Sequence, residues 1–263
     1  MRYVRVRDGA RVVHGILSRE GALDVLPGDP FLHPGGALEG MARITGERVG
    51  FDPAALLPPV VPGKILCAGL NYVDHIRESN AQTPESPVIF MKPQTALIAH
   101  GTPIACPLIS KHVEYEGELA VVMGLTARHV PRNRALQYVA GFCCANDVSA
   151  RDYQPPTGQW TIGKGFDTFL PLGPWIETGL HPGALEIETR LNGRVRQHSN
   201  TRNLLFGVEY LIEYLSAAMT LMPGDVILTG TPSGVGRIAP GDTVEVEIEG
   251  IGVLSNPVAL EAY

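Results

Sequence analysis

Three carboxylates, Glu114, Glu116 and Glu118, stand at alternate positions in the run KHVEYEGELAVVMG, just before an unbroken apolar stretch. On an extended chain, side chains at i, i+2 and i+4 share one face. The three acids then point together, and Leu119, Val121 and Met123 point the other way. Neighbouring carboxylates repel and raise one another's pKa unless positive charge lies between them. One reading is a solvated strand edge, where charge deters unwanted pairing. The apolar run argues instead for burial, where unpaired charge is costly, and a shared cation resolves the conflict. Hard divalent ions take oxygen ligands, so a further acid in an apolar setting is needed. Asp147 ends the apolar run GFCCAND, although spacing alone favours reading it as the cap of a following helix.

In CAGLNYVDHIRESN, His75 and Glu78 are three residues apart, which on a helical turn places them on one face. A carboxylate holding an imidazole makes a general base that works near neutral pH; a surface helix with incidental charges has the same spacing. The polar run SNAQTPESP that follows has the composition of a loop. ILTGTPSGVG ends a strand in a glycine-rich loop. It lacks the Lys-Ser/Thr pair of a phosphate loop, and no helical pattern follows. A tight turn accounts for it, as does a small anion held by backbone N–H groups and the Thr231 hydroxyl. Lys164 lies among glycines and aromatics in WTIGKGFDTF and by itself carries no assignment.

The elements that must position these residues are mostly strands. PVIFMKP, ELAVVMG, VAGFCCAND, LEIETRLNG, DVILTGTP and DTVEVEIEG are short apolar or alternating runs bounded by Gly and Pro. One helix stands out, with Val208, Leu211, Ile212, Leu215 and Met219 at helical spacing and Pro223-Gly224 beyond it. Strands and helices do not alternate, so a doubly wound sheet is not expected. At the start, YVRVR and ARVVHGIL flank Asp8-Gly9, a hairpin signal. Pro53, Pro58, Pro59 and Pro62 crowd the stretch before Lys64, predicting a boundary near residue 60 between a small β-rich unit (1–60) and a larger domain (61–263).

A chain of 263 residues with 44% hydrophobic and 18% charged residues can bury a sizeable core. Its net charge of −6 speaks against nucleic acid as a partner. Charges run through the start, MRYVRVRDGARVVHGIL, and no apolar run is long enough to span a bilayer. A cytoplasmic protein with no membrane partner is therefore expected. Cys67, Cys106, Cys143 and Cys144 lack zinc spacing and are expected to be reduced and structural.

Seven segments in order, GLNYVDHIRE, FMKP, VEYEGELAVVMG, NDVSARDYQ, KGFDTFLPLGP, LNGRVRQ and PGDVILTGTPSGVG, make the chain from about Lys64 to Pro257 resemble the fumarylacetoacetate hydrolase family, in its short acylpyruvate hydrolase and 2-hydroxyhepta-2,4-diene-1,7-dioate isomerase-like branch. The resemblance implies an α+β, β-rich fold: a mixed β-sandwich roll of the fumarylacetoacetase C-terminal type with a small N-terminal domain, assembled as a homodimer. It implies that Glu116, Glu118 and Asp147 bind Mg²⁺ or Mn²⁺, and that Glu114 does not. His75 and Glu78 correspond to a catalytic dyad on a lid, with Lys164 as a third catalytic group. Arg151, Gln154 and Thr231 correspond to substrate-contacting positions. Gly165 stands where the family often has Ser, and the additional upstream aspartate ligand of the longer fumarylacetoacetases has no counterpart. The missing aspartate counts against the tyrosine-degradation enzyme itself.

The substrates so implied are 2-oxo or 2,4-dioxo acids, whose α-keto carboxylate can chelate an ion that polarises the carbonyl. The leading expectation is hydrolysis of a C–C bond in an acylpyruvate or fumarylpyruvate. His75, held by Glu78, takes a proton from the water that attacks the 4-oxo carbon, and the departing enolate is stabilised by the metal and Lys164. The alternative employs the same enolate without water. It is an isomerase of the 5-carboxymethyl-2-hydroxymuconate or 2-hydroxyhepta-2,4-diene-1,7-dioate type in aromatic catabolism, with Arg151 for a distal carboxylate, or a 2-oxo acid decarboxylase. A purely structural ion site needs no base, and the His75–Glu78 pair counts against it.

Overall fold

The central strands are apolar enough to be buried on both faces. In the computed structural model, which describes residues 1–78, 82–155 and 159–262, Gly117–Met123 and Val139–Asn146 are buried at every position. They pair antiparallel, with Gly117 opposite Asn146 and Ala120 opposite Cys143. Alternate residues feed two cores. Ala120, Val122, Cys143 and Ala145 join Ile65, Leu172 and Leu228 on one side. Leu119, Val121, Met123, Phe142 and Cys144 join Ile187, Leu211, Leu215 and Val246 on the other. Each fully buried aliphatic side chain of this kind stabilises the fold by roughly 1.5–3 kcal/mol.

Among the described residues these strands belong to an eleven-stranded mixed sheet. Its path runs Arg48–Gly50, Ala22–Val25, Arg11–Leu17, Arg2–Asp8, Leu170–Glu177, Val139–Asn146, Gly117–Met123, Val226–Leu228, Ile65–Gly69 and Val88–Met91, and Leu97–Ile98 joins alongside Leu170–Glu177. A five-stranded sheet, Arg194–Asn200, Glu186–Leu191, Thr243–Ile248, Gly252–Leu260 and Ile104–Cys106, packs against it to complete the sandwich. A small three-stranded sheet, Ser149–Ala150, Val113–Tyr115 and Gly236–Arg237, lies beside them. The small N-terminal domain opens with the hairpin expected at Asp8-Gly9, where Asp8 pairs with Arg11 and Gly9 takes φ +59°. Its strands extend the large sheet, because Arg2 and Tyr3 pair with Glu177 and Ile176. The domain keeps a satellite core of Val4, Val6, Val13, Leu23, Val25 and Leu56.

The helix read from its apolar spacing spans Val208–Ala218 and buries Val208, Leu211, Ile212 and Leu215. All four cysteines are buried and free. No helix among the described residues is long and apolar enough to cross a membrane.

One buried side chain ties the sheet to the short helix Val73–Glu78 that follows it. Asn71 accepts from the Phe206 amide (2.9 Å) and donates to the Phe206 carbonyl (3.0 Å) and the Thr229 carbonyl (2.8 Å). An unpaired buried polar group costs about 1–3 kcal/mol. Asn71→Ala is therefore expected to lower unfolding free energy by about 2–3 kcal/mol in urea titrations. A loss below about 0.5 kcal/mol would show that other groups satisfy these atoms.

Candidate active site

The acidic run does not stay in one sheet. Val113–Tyr115 ends in the three-stranded sheet and Gly117–Met123 begins in the large one, with Glu116 at the crossing. Gly117 is required there, since a Cβ would sit 2.0 Å from the Thr189 hydroxyl. The crossing is pinned to the neighbouring strand: the Glu116 amide donates to Asn146 Oδ1 (2.9 Å), and the Asp147 amide donates to the Glu116 carbonyl (2.8 Å). Two acids and a third from the adjacent strand are thus brought to one place by ladder geometry. One oxygen from each of Glu116, Glu118 and Asp147 lies within 4.8 Å of the others.

The solvated-edge reading of these acids fails, because Glu116 and Glu118 are 5% and 2% exposed. The cap reading of Asp147 fails too. The chain continues into the strand Ser149–Ala150 and a 3-10 turn, Arg151–Tyr153, that has no side-chain cap. Asp147 Oδ2 instead accepts from Lys164 Nζ (2.7 Å), while Oδ1 lies 2.7 Å from Lys92 Nζ, out of line for a hydrogen bond.

Glu114 answers to a different partner. Arg151 Nε donates to it (2.6 Å), a second guanidinium nitrogen donates to Glu116, and a third to Gln154 Oε1 (2.8 Å). His112 Nε2 lies 2.7 Å from the other Glu114 oxygen. Lys164 Nζ also donates to Glu116 Oε2 (2.8 Å). Burial pushes the Glu116 carboxyl up, but Lys164 and Arg151 outweigh it and hold it well below the usual carboxylate range. Burial lowers the Lys164 ammonium, and Asp147 and Glu116 more than restore it.

Glu118 is treated differently. It accepts from the Gly230 amide (2.7 Å) and enters no ion pair among the described residues. Burial, then repulsion from Asp147 and Glu116, pushes its carboxyl well above the usual range. An all-oxygen donor set with one acid short of a cation fits a hard divalent ion, and the cluster is able to hold one.

The remaining residues singled out in the sequence gather around the same cavity, of about 280 Å³. His75, Arg151, Gln154, Lys164 and Thr231 line it with the three acids and Glu114. Glu78 stands behind His75, its Oε2 3.4 Å from Nδ1, and also accepts from the Gly234 amide (3.1 Å). Asp74 accepts from Ser199 (3.4 Å) on the strand Arg194–Asn200 and from Ser233 (3.3 Å), so Asp74 and Glu78 each fasten the short helix to the glycine-rich loop. Residues 79–81 of the polar run read as a loop lie outside the described residues. The Thr231 hydroxyl donates to the Gly117 carbonyl (2.8 Å) and accepts from Gln197 Nε2 (2.8 Å), so it braces the loop against the acidic strand.

Three kinds of residue escaped the sequence reading. Phe90 and Trp160, in edge-to-face contact at 5.4 Å, form an aromatic wall of the cavity. Gln197, fully buried, supports Thr231 and the Gly117 amide (3.0 Å). Lys92, also buried, touches Asp147. Lys92 carried the same signal as the acids, a charged residue ending an apolar strand. Phe90 and Trp160 carried none, since an aromatic in an apolar run looks the same in a core as in a wall.

Residues 64–259 match the family model described as Fumarylacetoacetate (FAA) hydrolase C-terminal, and residues 1–59 match that described as Rv2993c-like, N-terminal. The fold is similar to that of 5-carboxymethyl-2-hydroxymuconate delta-isomerase from Mycobacterium smegmatis, with TM-score 0.89, 43% identity, and coverage of 99% of this chain and 100% of the other. It is also similar to fumarylpyruvate hydrolase from Pseudomonas aeruginosa in complex with Mn²⁺ and pyruvate, with TM-score 0.73, 33% identity, and coverage of 78% and 92%. The mitochondrial oxaloacetate tautomerase Fahd2a of Rattus norvegicus is 44% identical, over 77% of this chain and 68% of its own. With its mixed sandwich and buried acidic cluster matched in this way, the chain belongs to the fumarylacetoacetate hydrolase family.

Proposed function

We propose that the protein is a divalent-metal-dependent isomerase that moves a proton on a small 2-oxo acid, interconverting keto and enol forms or shifting a conjugated double bond. The observation that carries this reading is the meeting of Glu116, Glu118 and Asp147 with His75 at one cavity. The isomerase and the tautomerase named above are also more similar to this chain than the hydrolase is. This reverses the order expected from the sequence, where hydrolysis led.

Glu116, Glu118 and Asp147 would hold a Mg²⁺ or Mn²⁺ ion, which would supply Lewis-acid polarisation of the 2-oxo group. The protein's own groups do the rest. Glu78, on Nδ1, orients the His75 ring, and Nε2 takes the proton from the carbon next to the carbonyl. The same imidazolium returns the proton to oxygen or to a more distant carbon, so no atom is gained or lost. The Lys164 ammonium, pinned between Glu116 and Asp147, holds fixed positive charge where enolate charge develops. Removing one such stabilising group typically costs about 3–4 kcal/mol in the transition state. Arg151 and Gln154, joined on the cavity wall, contact the substrate's polar end, and Thr231 keeps the loop over it. Phe90 and Trp160 exclude water from the other side.

Hydrolysis is the second reading, supported by the likeness to fumarylpyruvate hydrolase. There His75 takes its proton from water, whose oxygen attacks the 4-oxo carbon; the C–C bond then breaks, releasing a carboxylic acid and an enolate that takes the proton back at carbon. Incubating Mn²⁺-loaded protein with oxaloacetate, 2-hydroxydienoates and 2,4-dioxo acids separates the two readings. Ultraviolet absorbance follows the enol, and NMR identifies isomer, cleavage products or CO₂ loss. Isomer formation faster than cleavage on every acid turned over is the expected result, and cleavage alone would leave hydrolysis as the function.

Glu116→Ala is expected to abolish both Mn²⁺ retention, read by calorimetry, and turnover. His75→Ala should hold Mn²⁺ within about twofold of the unaltered protein and lose about 10²–10⁴ in turnover. Loss of Mn²⁺ in the histidine variant would remove His75 from its proposed role.

A further inference from the structure

We propose that Lys92 is a positioning residue for the metal site, holding both Asp147 and the turn that carries Lys164; this rests on the reading of the acidic cluster as a metal site. Lys92 follows the outermost strand of the large sheet, Val88–Met91, and its side chain is completely buried. Its ammonium converges on acceptors from two other segments. It donates to the Val148 carbonyl (3.0 Å), next to the acid in the chain, and to the backbone carbonyl of Lys164, and lies 2.7 Å from Asp147 Oδ1. Lys92 does not line the cavity, whereas Lys164 does. It therefore acts through other residues and not on substrate.

Burying an ammonium is costly, and a well-packed apolar side chain is often the more stable choice. A lysine here needs a reason beyond packing. The contact at Oδ1 is short but poorly aligned for a hydrogen bond. Oδ2 is meanwhile held by Lys164. Asp147 is thereby held in one orientation from both of its oxygens, as a preorganised ligand must be. The residue type fits as well. The sequence contains 17 arginines and four lysines, yet both of the fully buried cations at the acidic cluster are lysines. Two carbonyls and a carboxylate oxygen from two different segments suit a compact ammonium with rotatable donors and not a planar guanidinium fork. Partners that orient metal ligands typically contribute about 10–100-fold to metal affinity.

The test uses the full-length protein stripped of metal, with Mn²⁺ affinity measured by calorimetry in the absence of substrate. Lys92→Gln keeps two donors for the carbonyls and loses the charge; Lys92→Met loses both. Each is expected to weaken Mn²⁺ binding by about 10–100-fold. Lys64→Gln, which removes an ion pair with Asp225 elsewhere in the sheet, should lower the melting temperature but keep Mn²⁺ affinity within about twofold. A Lys92→Gln protein that binds Mn²⁺ within twofold of the unaltered one overturns the inference. If neither Lys92 variant folds, ¹⁵N-lysine NMR of the unaltered protein decides, since four lysines give at most four ammonium signals. Mg²⁺ must then shift the Lys92 signal as well as that of Lys164; a shift of Lys164 alone overturns the proposal. Failure of the unaltered protein to bind either ion would instead remove the metal reading of the acidic cluster.

Discussion

The mutual repulsion of three buried carboxylates is the constraint around which this molecule is organised. Each ion taken out of water costs several kcal/mol after relaxation, and Glu116, Glu118 and Asp147 are all buried within reach of one another. The fold offsets this with cations drawn from three separate places: Lys92 after an outer strand, Arg151 in a 3-10 turn and Lys164 at the end of a four-residue helix. Glu116 and Asp147 are compensated in this way, and Glu118 has only a peptide N–H. The imbalance is what makes the cluster receptive to a dication. It also accounts for the polar bracing by Asn146 and Gln197, since repelling groups must be held in place.

The acidic cluster and the His75–Glu78 pair are carried by different kinds of structure. The acids sit on or beside strands buried on both faces, where packing leaves little freedom. His75 and Glu78 sit on a six-residue helix, too short to be stable alone. Its position is given by Asn71 at its base and by the contacts of Asp74 and Glu78 with the loop at residues 233–234. A rigid acidic cluster with a separately mounted histidine is a scaffold on which related reactions can be built by altering the surroundings of the cavity. Isomerase and hydrolase relatives on the same fold accord with that division, and function has to be argued from the site itself.

Several parts of this protein were determined by sequence alone. The alternation of Glu114, Glu116 and Glu118 ahead of an apolar run posed the charge problem, the hairpin at Asp8-Gly9 followed from turn chemistry, and the Val208–Ala218 helix followed from its apolar spacing. These are local properties, set by the period of the backbone and the conformations of single residues. Tertiary structure alone decided that Asp147 faces lysines instead of capping a helix, that Glu114 belongs to Arg151, and that Lys92 and Gln197 support the site. Each of those facts depends on which strands lie side by side. Lys92 and Asp147 are 55 positions apart in the chain, and no periodicity within either segment encodes their meeting. The electrostatic field at the acidic cluster is a sum over distant residues, so it exists only once the sheets have assembled.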